Sequence, residues 1–440
     1  PDTYTNTESS AASDVYKRQE LEGQLTDFIQ SDDLLAFARK RRGDVNSVLE
    51  RYEVTDATTL QGYYGLILNV QMLEGDFDGA RETIEKMRAL EEKPAQKLMT
   101  GLLYNALMDA WNGDGEWADE AFRARFQSRY EEALAALPWD VVQDLVERGK
   151  AGWELRSRNF YLGLIESRYQ EGVDKSGNVS GDVADTLIST RLMLDRVLPV
   201  KENAVIALTD YIEANRVEKP DIWQERYVDL DPEAEAQPVT VAIWDSGTDT
   251  SLFQGRLYTN PGETVDGRDN DGNGWVDDVH GIAHTLDSDR TSELLIPLTE
   301  EQRKQYPSMK AMVKGLSDMQ AAVDSEEASA LKKYLSELQP EQVEPFIETI
   351  SLFGNYAHGT HVAGIAAEGN PFLRILVARI TFNYKMIPEV PTVEQTRKDA
   401  QAVRDTIDYF KANGVRVVNM SWGGSLSGYE SALELNGIGN

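Results

Sequence analysis

The 440-residue chain contains no cysteine. Disulfides, a thiol nucleophile and a thiolate metal site are thereby excluded, while the redox compartment stays open. No apolar run approaches the length that crosses a bilayer, so nothing reads as a membrane span. Positive charge is scarce: 44 Lys and Arg stand against 75 Asp and Glu, a formal net charge of -31. A nucleic-acid surface needs clustered basic residues, so neither DNA nor RNA is an expected partner. Acidity of this size favours solubility and bound cations and says little about fold. An initiating Met is missing too, and residues 1–19 are polar and aperiodic. They read as an artefactual or disordered tail, which leaves the absence of a signal peptide without weight.

What is present divides into two halves. Residues 20–217 show helical periodicity almost throughout, with Leu21, Leu25, Phe28 and Ile29 on one face and Leu60, Tyr64, Ile67 and Leu68 on another. Tyr63 to Leu73, the turn Gly75-Asp76-Phe77-Asp78 and Ala80 to Leu90 predict a helical hairpin. It resembles a single tetratricopeptide-type unit, but solenoids need several stacked copies, so an antiparallel bundle is the plainer reading. Residues 218–238, acidic and Pro-bearing through Asp231-Pro232 and Gln237-Pro238, predict a linker.

Beyond Pro238 strands alternate with helices: Val239 to Trp244, Leu373 to Thr381 and Val415 to Met420 as strands, Thr392 to Asn413 as helix, stopped by Gly414. That alternation predicts an α/β domain over 239–440, a parallel sheet covered by helices on both faces. A helical insertion at about 288–352, read as Glu300 to Gly315, Asp318 to Leu338 and Glu341 to Leu352, interrupts it as a surface elaboration.

Two segments carry chemistry. Val239-Thr240-Val241-Ala242-Ile243-Trp244-Asp245-Ser246-Gly247 delivers a carboxylate at the C-terminal end of a buried strand, where catalytic groups collect in open parallel sheets. Asn355-Tyr356-Ala357-His358-Gly359-Thr360-His361-Val362-Ala363-Gly364 delivers an imidazole at a small-residue helix start, and Gly359, Ala363 and Gly364 are expected to keep that helix slim against the sheet. A buried carboxylate needs a donor, and one nitrogen of His358 can supply it, leaving the other as a general base. Alone, Asp245 reads better as a strand-to-turn residue, and His358 and His361 read as core or capping histidines.

Together, in this order, and followed by Val417-Val418-Asn419-Met420-Ser421-Trp422-Gly423-Gly424, the segments resemble those of the subtilisin-like serine proteases, the subtilases. The resemblance implies a subtilisin-like sheet preceded here by an all-α N-terminal domain. It implies Asp245 and His358 as two thirds of an Asp-His-Ser triad acting on a protein or peptide substrate. Ser421, Trp422 and Gly423 would line the substrate cleft, pairing with an extended peptide, with Trp422 walling a specificity pocket. Family habit points to a secreted or periplasmic enzyme; oligomeric state is left open.

One departure matters. The sequence holds no Gly-Thr-Ser segment, and Ser246, Ser421, Ser425 and Ser427 are not flanked as a nucleophile would be. Gly439-Asn440 does not fit the context of an oxyanion-hole Asn. The expectation is a domain truncated before its nucleophile, inactive as it stands; the alternative is a dead subtilase-like scaffold carrying a helical protein-interaction domain.

A second site lies in Asp266-Gly267-Arg268-Asp269-Asn270-Asp271-Gly272-Asn273-Gly274-Trp275-Val276-Asp277-Asp278. Asp269, Asp271 and Asn273 alternate as hard oxygen ligands, Gly274 permits a sharp turn, and Trp275 could add its carbonyl and Asp277 another oxygen. The closing Glu of an EF-hand is absent, with His280 in its place. The loop is expected to bind Ca2+; a solvated acidic turn is the plain alternative. A transition-metal site from His280, His284 and Asp277 is rejected, because Gly281 and an extended backbone separate the side chains.

Overall fold

The computed structural model describes residues 19–113, 117–217, 227, 229–424 and 426–438. The tail before Gln19, most of the linker's first half and Gly439-Asn440 therefore lie outside the described residues. The chain forms two compact units. One takes in the chain up to Val217 together with Lys314–Glu344 and the segment from Glu434. The other comprises Glu218–Val313 and Pro345–Leu433.

The first unit is helical, apart from a two-residue pairing of β1 (Gln19–Glu20) with β2 (Asn178–Val179). Gln19, read from sequence as the end of the tail, is thus held in register opposite Val179. The expected hairpin is present as helices Ala57–Glu74 and Phe77–Leu90. Gly75 adopts the left-handed turn between them (φ 77°), and the Asp76 carboxylate accepts the Gly79 N–H to cap the second helix. The first of these helices buries Leu68 of the predicted face, together with Leu66, Val70 and Met72, which lie off it. Leu66 and Val70 pack with Ala38 and Val45, whereas Leu68 and Met72 join a larger core around Phe122 and Phe126. A helix apolar on two sides is covered on two sides, and a single-face reading misses that.

Lys314–Glu344, read from sequence as part of a surface elaboration on the C-terminal domain, groups with this helical unit. Its helix Glu326–Glu337 buries Ala328, Leu331 and Leu335, spaced three and four apart. Close approach fixes the neighbouring turn: a methyl added to Gly163 would lie 2.4 Å from the Pro340 carbonyl.

The second unit is built on a five-stranded sheet of order β5-β4-β6-β3-β7. Its strands are β3 (Val239–Asp245), β4 (Gly281–His284), β5 (Arg290–Thr291), β6 (Leu373–Arg379) and β7 (Val417–Met420). Pairing is parallel among β4, β6, β3 and β7, and only β5 runs antiparallel, against β4. Central strands buried on both faces carry near-continuous apolar runs, and β3 shows why. Val241 and Ile243 meet Ala363 and Ala367 of the Val343–Ala367 helix on one face; Ala242 and Trp244 meet Tyr409 and Phe410 of the Val393–Ala412 helix on the other. The α/β architecture expected from the alternation of elements is the one observed, with the helical region ahead of it.

One boundary differs from expectation in a way that matters for the site. His358 does not open a helix. The Val343–Ala367 helix runs unbroken through it, merging the last predicted insertion helix with the histidine segment. Nothing between Leu352 and His358 breaks a helix: there is no proline, and Gly354 stays at negative φ.

Candidate active site

β3 ends at Asp245, which is 1% exposed. The strand's alternation dictates where that side chain points: odd positions 241, 243 and 245 share one face, the face covered by the His358 helix. Gly247 then turns the chain away at φ 115°, a conformation that L side chains rarely adopt.

The structure brings the two predicted residues together across 113 positions of sequence. His358 Nδ1 lies 2.7 Å from Asp245 Oδ1. Carboxylates only accept, so Nδ1 carries the proton, and Nε2 is left as the basic nitrogen on a side chain that is 48% exposed. The same carboxylate oxygen accepts the Ser246 backbone N–H at 2.7 Å and lies 3.1 Å from Ser246 Oγ. Asp245 Oδ2 is buried without a hydrogen-bond partner among the described residues, so the carboxylate depends on the contacts made at Oδ1.

Glycines that look alike in sequence differ here. A methyl on Gly359 would fall 2.2 Å from the Gly247 carbonyl oxygen, so this glycine lets helix backbone and strand-end backbone touch. Ala363 is fully buried against the sheet as expected. Gly364 is not part of the contact: a methyl there would meet nothing within 4 Å, which corrects the role expected of it.

β7 pairs with β3 at the sheet edge, with Met420 opposite Trp244, so Ser421 continues to the level of Asp245. Ser421 and Gly423 are exposed, and a side chain at Gly423 would meet open space. Trp422 turns inward: its indole N–H donates to the Trp244 carbonyl at 2.7 Å, and its ring meets Trp244 edge-on at 5.1 Å and lies 6.3 Å from Phe382. The indole therefore anchors the strand end.

The acidic loop is organised as a web of carboxylate caps. Asp269 accepts the backbone N–H groups of Gly272, Asn273 and Gly274, which hold its carboxyl below the usual range, the Gly274 contact foremost. Asn273 accepts the Trp275 N–H and donates to Asp271 and to the buried Asp278. Asp277 is turned to the Asp266 and Gly267 amides. Glu263, not singled out from sequence, joins Asp269 and Asp271, and carboxylate oxygens of the three lie within 4.8 Å of one another. Burial raises the Glu263 carboxyl, with Asp278 beside it. Three convergent carboxylates suit a hard divalent cation. Trp275 is buried edge-on against His284 and Tyr409 and covered by the Arg290 guanidinium, which also bonds the Gly274 carbonyl.

His280 and His284 do not converge. The first faces the Tyr258 carbonyl through Nδ1 at 2.8 Å, and the second is buried in β4, where burial pushes its imidazole below the ordinary value.

Three residues were given no such part from sequence: Ser246, weighed only as a nucleophile, Glu263, and Asp278, which closes the acidic loop without counting among its ligands. Ser246 had a signal, its adjacency to Asp245; Glu263 stands outside the Asp-rich run that drew attention.

A strand-end carboxylate facing the Nδ1 of a histidine has the arrangement of the orienting half of a Ser-His-Asp triad. Residues 237–438 match the model of the Subtilase family, peptidase S8. Over that stretch the chain is similar to the subtilases, a family of serine peptidases. No curated protein and no solved structure matches the chain.

Proposed function

We propose that this protein contributes the Asp–His half of a serine endopeptidase centre. Asp245 fixes the tautomer of His358 and stabilises the imidazolium that forms during turnover. His358 Nε2 takes the proton from a Ser hydroxyl, proposed to lie on sequence following Asn440, as that oxygen attacks the scissile carbonyl. The proton passes to the leaving amine, an acyl-enzyme results, and water releases it by the same route in reverse. Substrate backbone would pair in extended form beside Ser421, Trp422 and Gly423, which follow the edge strand β7. The observation carrying this reading is the 2.7 Å contact between His358 Nδ1 and Asp245 Oδ1.

We further propose that Glu263, Asp269 and Asp271, with the loop residues Asn273, Trp275 and Asp277 organising or completing the set, hold Ca2+. When bound, the ion supplies charge neutralisation to the loop and takes no part in bond cleavage. Export from the cytoplasm is proposed from the family resemblance alone.

The 440 residues as they stand are expected to give no turnover of casein and no labelling by a fluorophosphonate probe. His358-dependent labelling would overturn the nucleophile assignment. Extending the coding sequence tests the rest. A Gly-Thr-Ser segment and casein cleavage support the enzyme; a completed protein lacking both is the dead scaffold, with the helical unit as its working part.

A further inference from the structure

We propose that Ser246 is a positioning residue that ties the catalytic carboxylate to the helical turn bearing His358, an inference that rests on the reading of Asp245 and His358 as the orienting pair. The Ser246 side chain is 1% exposed, so its hydroxyl must be satisfied inside the protein. Its Oγ lies 2.6 Å from the Asn355 carbonyl oxygen and 3.1 Å from Asp245 Oδ1, and it accepts the Gly359 N–H at 3.2 Å.

Those partners are not arbitrary. Asn355 and Gly359 are four apart in one helix, the carbonyl and amide that an α-helix pairs with each other. The turn they close contains His358. Ser246 Oγ therefore engages both ends of the histidine's own turn and at the same time faces the carboxylate that the imidazole must meet.

A hydroxyl has one proton and two lone pairs. The shorter contact assigns the proton to the Asn355 carbonyl, one lone pair takes the Gly359 amide, and Asp245 Oδ1 is held by the Ser246 backbone N–H beside it. One residue thus grips the carboxylate through its main chain and the helix through its side chain. A hydroxyl serving burial alone would need one partner, and the Asn355 carbonyl would suffice.

The chain has only four histidines, at 280, 284, 358 and 361, which makes the test direct. In histidine-labelled protein, long-range nitrogen–proton correlation reads the tautomer of each ring, and a strongly downfield proton reports the Nδ1–H bond to Asp245. The parent should show His358 as the Nδ1–H tautomer, and Asp245→Asn should abolish that signature. Ser246→Ala should remain folded, because Asn355 and Gly359 can pair with each other. It should convert His358 to a tautomer mixture and speed exchange of the Nδ1 proton about fivefold, the factor carried by one ordinary hydrogen bond.

Ser246→Cys, similar in shape but a weak donor and acceptor, is the second variant and should behave alike. A parent protein without the signature overturns the Asp–His pairing and this proposal with it. A parent with it, and Ser246 variants that keep it unchanged, overturns the role of Ser246 alone. Unfolding of both variants would make the hydroxyl a structural requirement and also overturns the positioning role.

Discussion

The closest backbone approach at the site invites the sharpest perturbation, Gly359→Ala. The added methyl would lie 2.2 Å from the Gly247 carbonyl oxygen and 3.0 Å from the Gly247 carbonyl carbon and nitrogen. Ordinary carbon–oxygen contacts are about 3.3 Å, so helix and strand end must separate by about 1 Å. Every obstructing atom is backbone, so no rotamer change relieves the overlap. A separation of that size, taken along the His358–Asp245 axis, lengthens a 2.7 Å contact past the hydrogen-bond limit. Overpacking costs about 1–3 kcal/mol, offset by about 1 kcal/mol of improved helix propensity, for a net loss of about 0–2 kcal/mol. Catalysis should suffer more than folding, since a 1 Å misplacement costs about a hundredfold.

Gly364→Ala, on the same helix but facing open space, supplies the opposite sign: a gain of up to about 1 kcal/mol and an undisturbed site. Denaturant unfolding of the chain reads the stabilities, the downfield His358 proton reads the site, and casein hydrolysis by the extended protein reads the chemistry. If Gly359→Ala keeps the parent's proton signal and activity, the close contact does not set the catalytic geometry and the reasoning fails. Equal stability changes for the two substitutions would fail it too.

In the extended protein, Asp245→Asn should fold normally and lose about ten-thousand-fold in kcat, as the equivalent change does in a chymotrypsin-type protease, because the imidazole is left in the wrong tautomer; cleavage at the parent rate would make the carboxylate structural. Gly423→Val should raise the Kd of a peptide inhibitor by obstructing the approaching backbone while leaving the melting temperature unchanged, since its side chain enters open space. Millimolar Ca2+ should stabilise the second unit, by about 2.7 kcal/mol at a hundredfold excess over Kd and visibly as a higher thermal midpoint, and Asp271→Ala should cancel the effect; a melt indifferent to chelator removes the site. Burial alone would raise the Glu74 carboxyl, but hydrogen bonds from Arg39 at 2.7 Å and Arg42 at 2.6 Å hold it below its ordinary 4.5. That contribution is complete above the unfolded-state value and disappears as pH falls through the depressed one, so Glu74→Gln should flatten the stability of the helical unit below about pH 4.5.

Asp245 at its strand end and the helix bearing His358 were legible because the signals that mark them are local. An apolar run ending in Asp245 reports a doubly covered strand and its C-terminal edge. Small residues around His358 report close packing, and alternating Asp, Asn and Gly report a tightly turned acidic loop. Gly75 and Gly414 marked their turns for the same reason, since positive φ is a property of one residue.

What remained hidden depends on which surfaces meet. Gly359 and Gly364 are equivalent in sequence, yet the helix turns one toward the Gly247 carbonyl and the other toward open space. That the Trp244 carbonyl holds the Trp422 indole N–H has no mark in the local sequence. Lys314–Glu344 reads as an elaboration of the domain flanking it, yet its buried leucines join the helical unit. Ser246 touches Asn355 and Gly359 over more than 100 intervening residues. Propensity and periodicity act over a few residues, whereas contacts of this kind exist only once strand, helix and turn are assembled. The amino-acid sequence by itself determined the candidate groups and the elements that carry them. Tertiary structure alone decided their distances, their partners and the glycine on which the geometry turns.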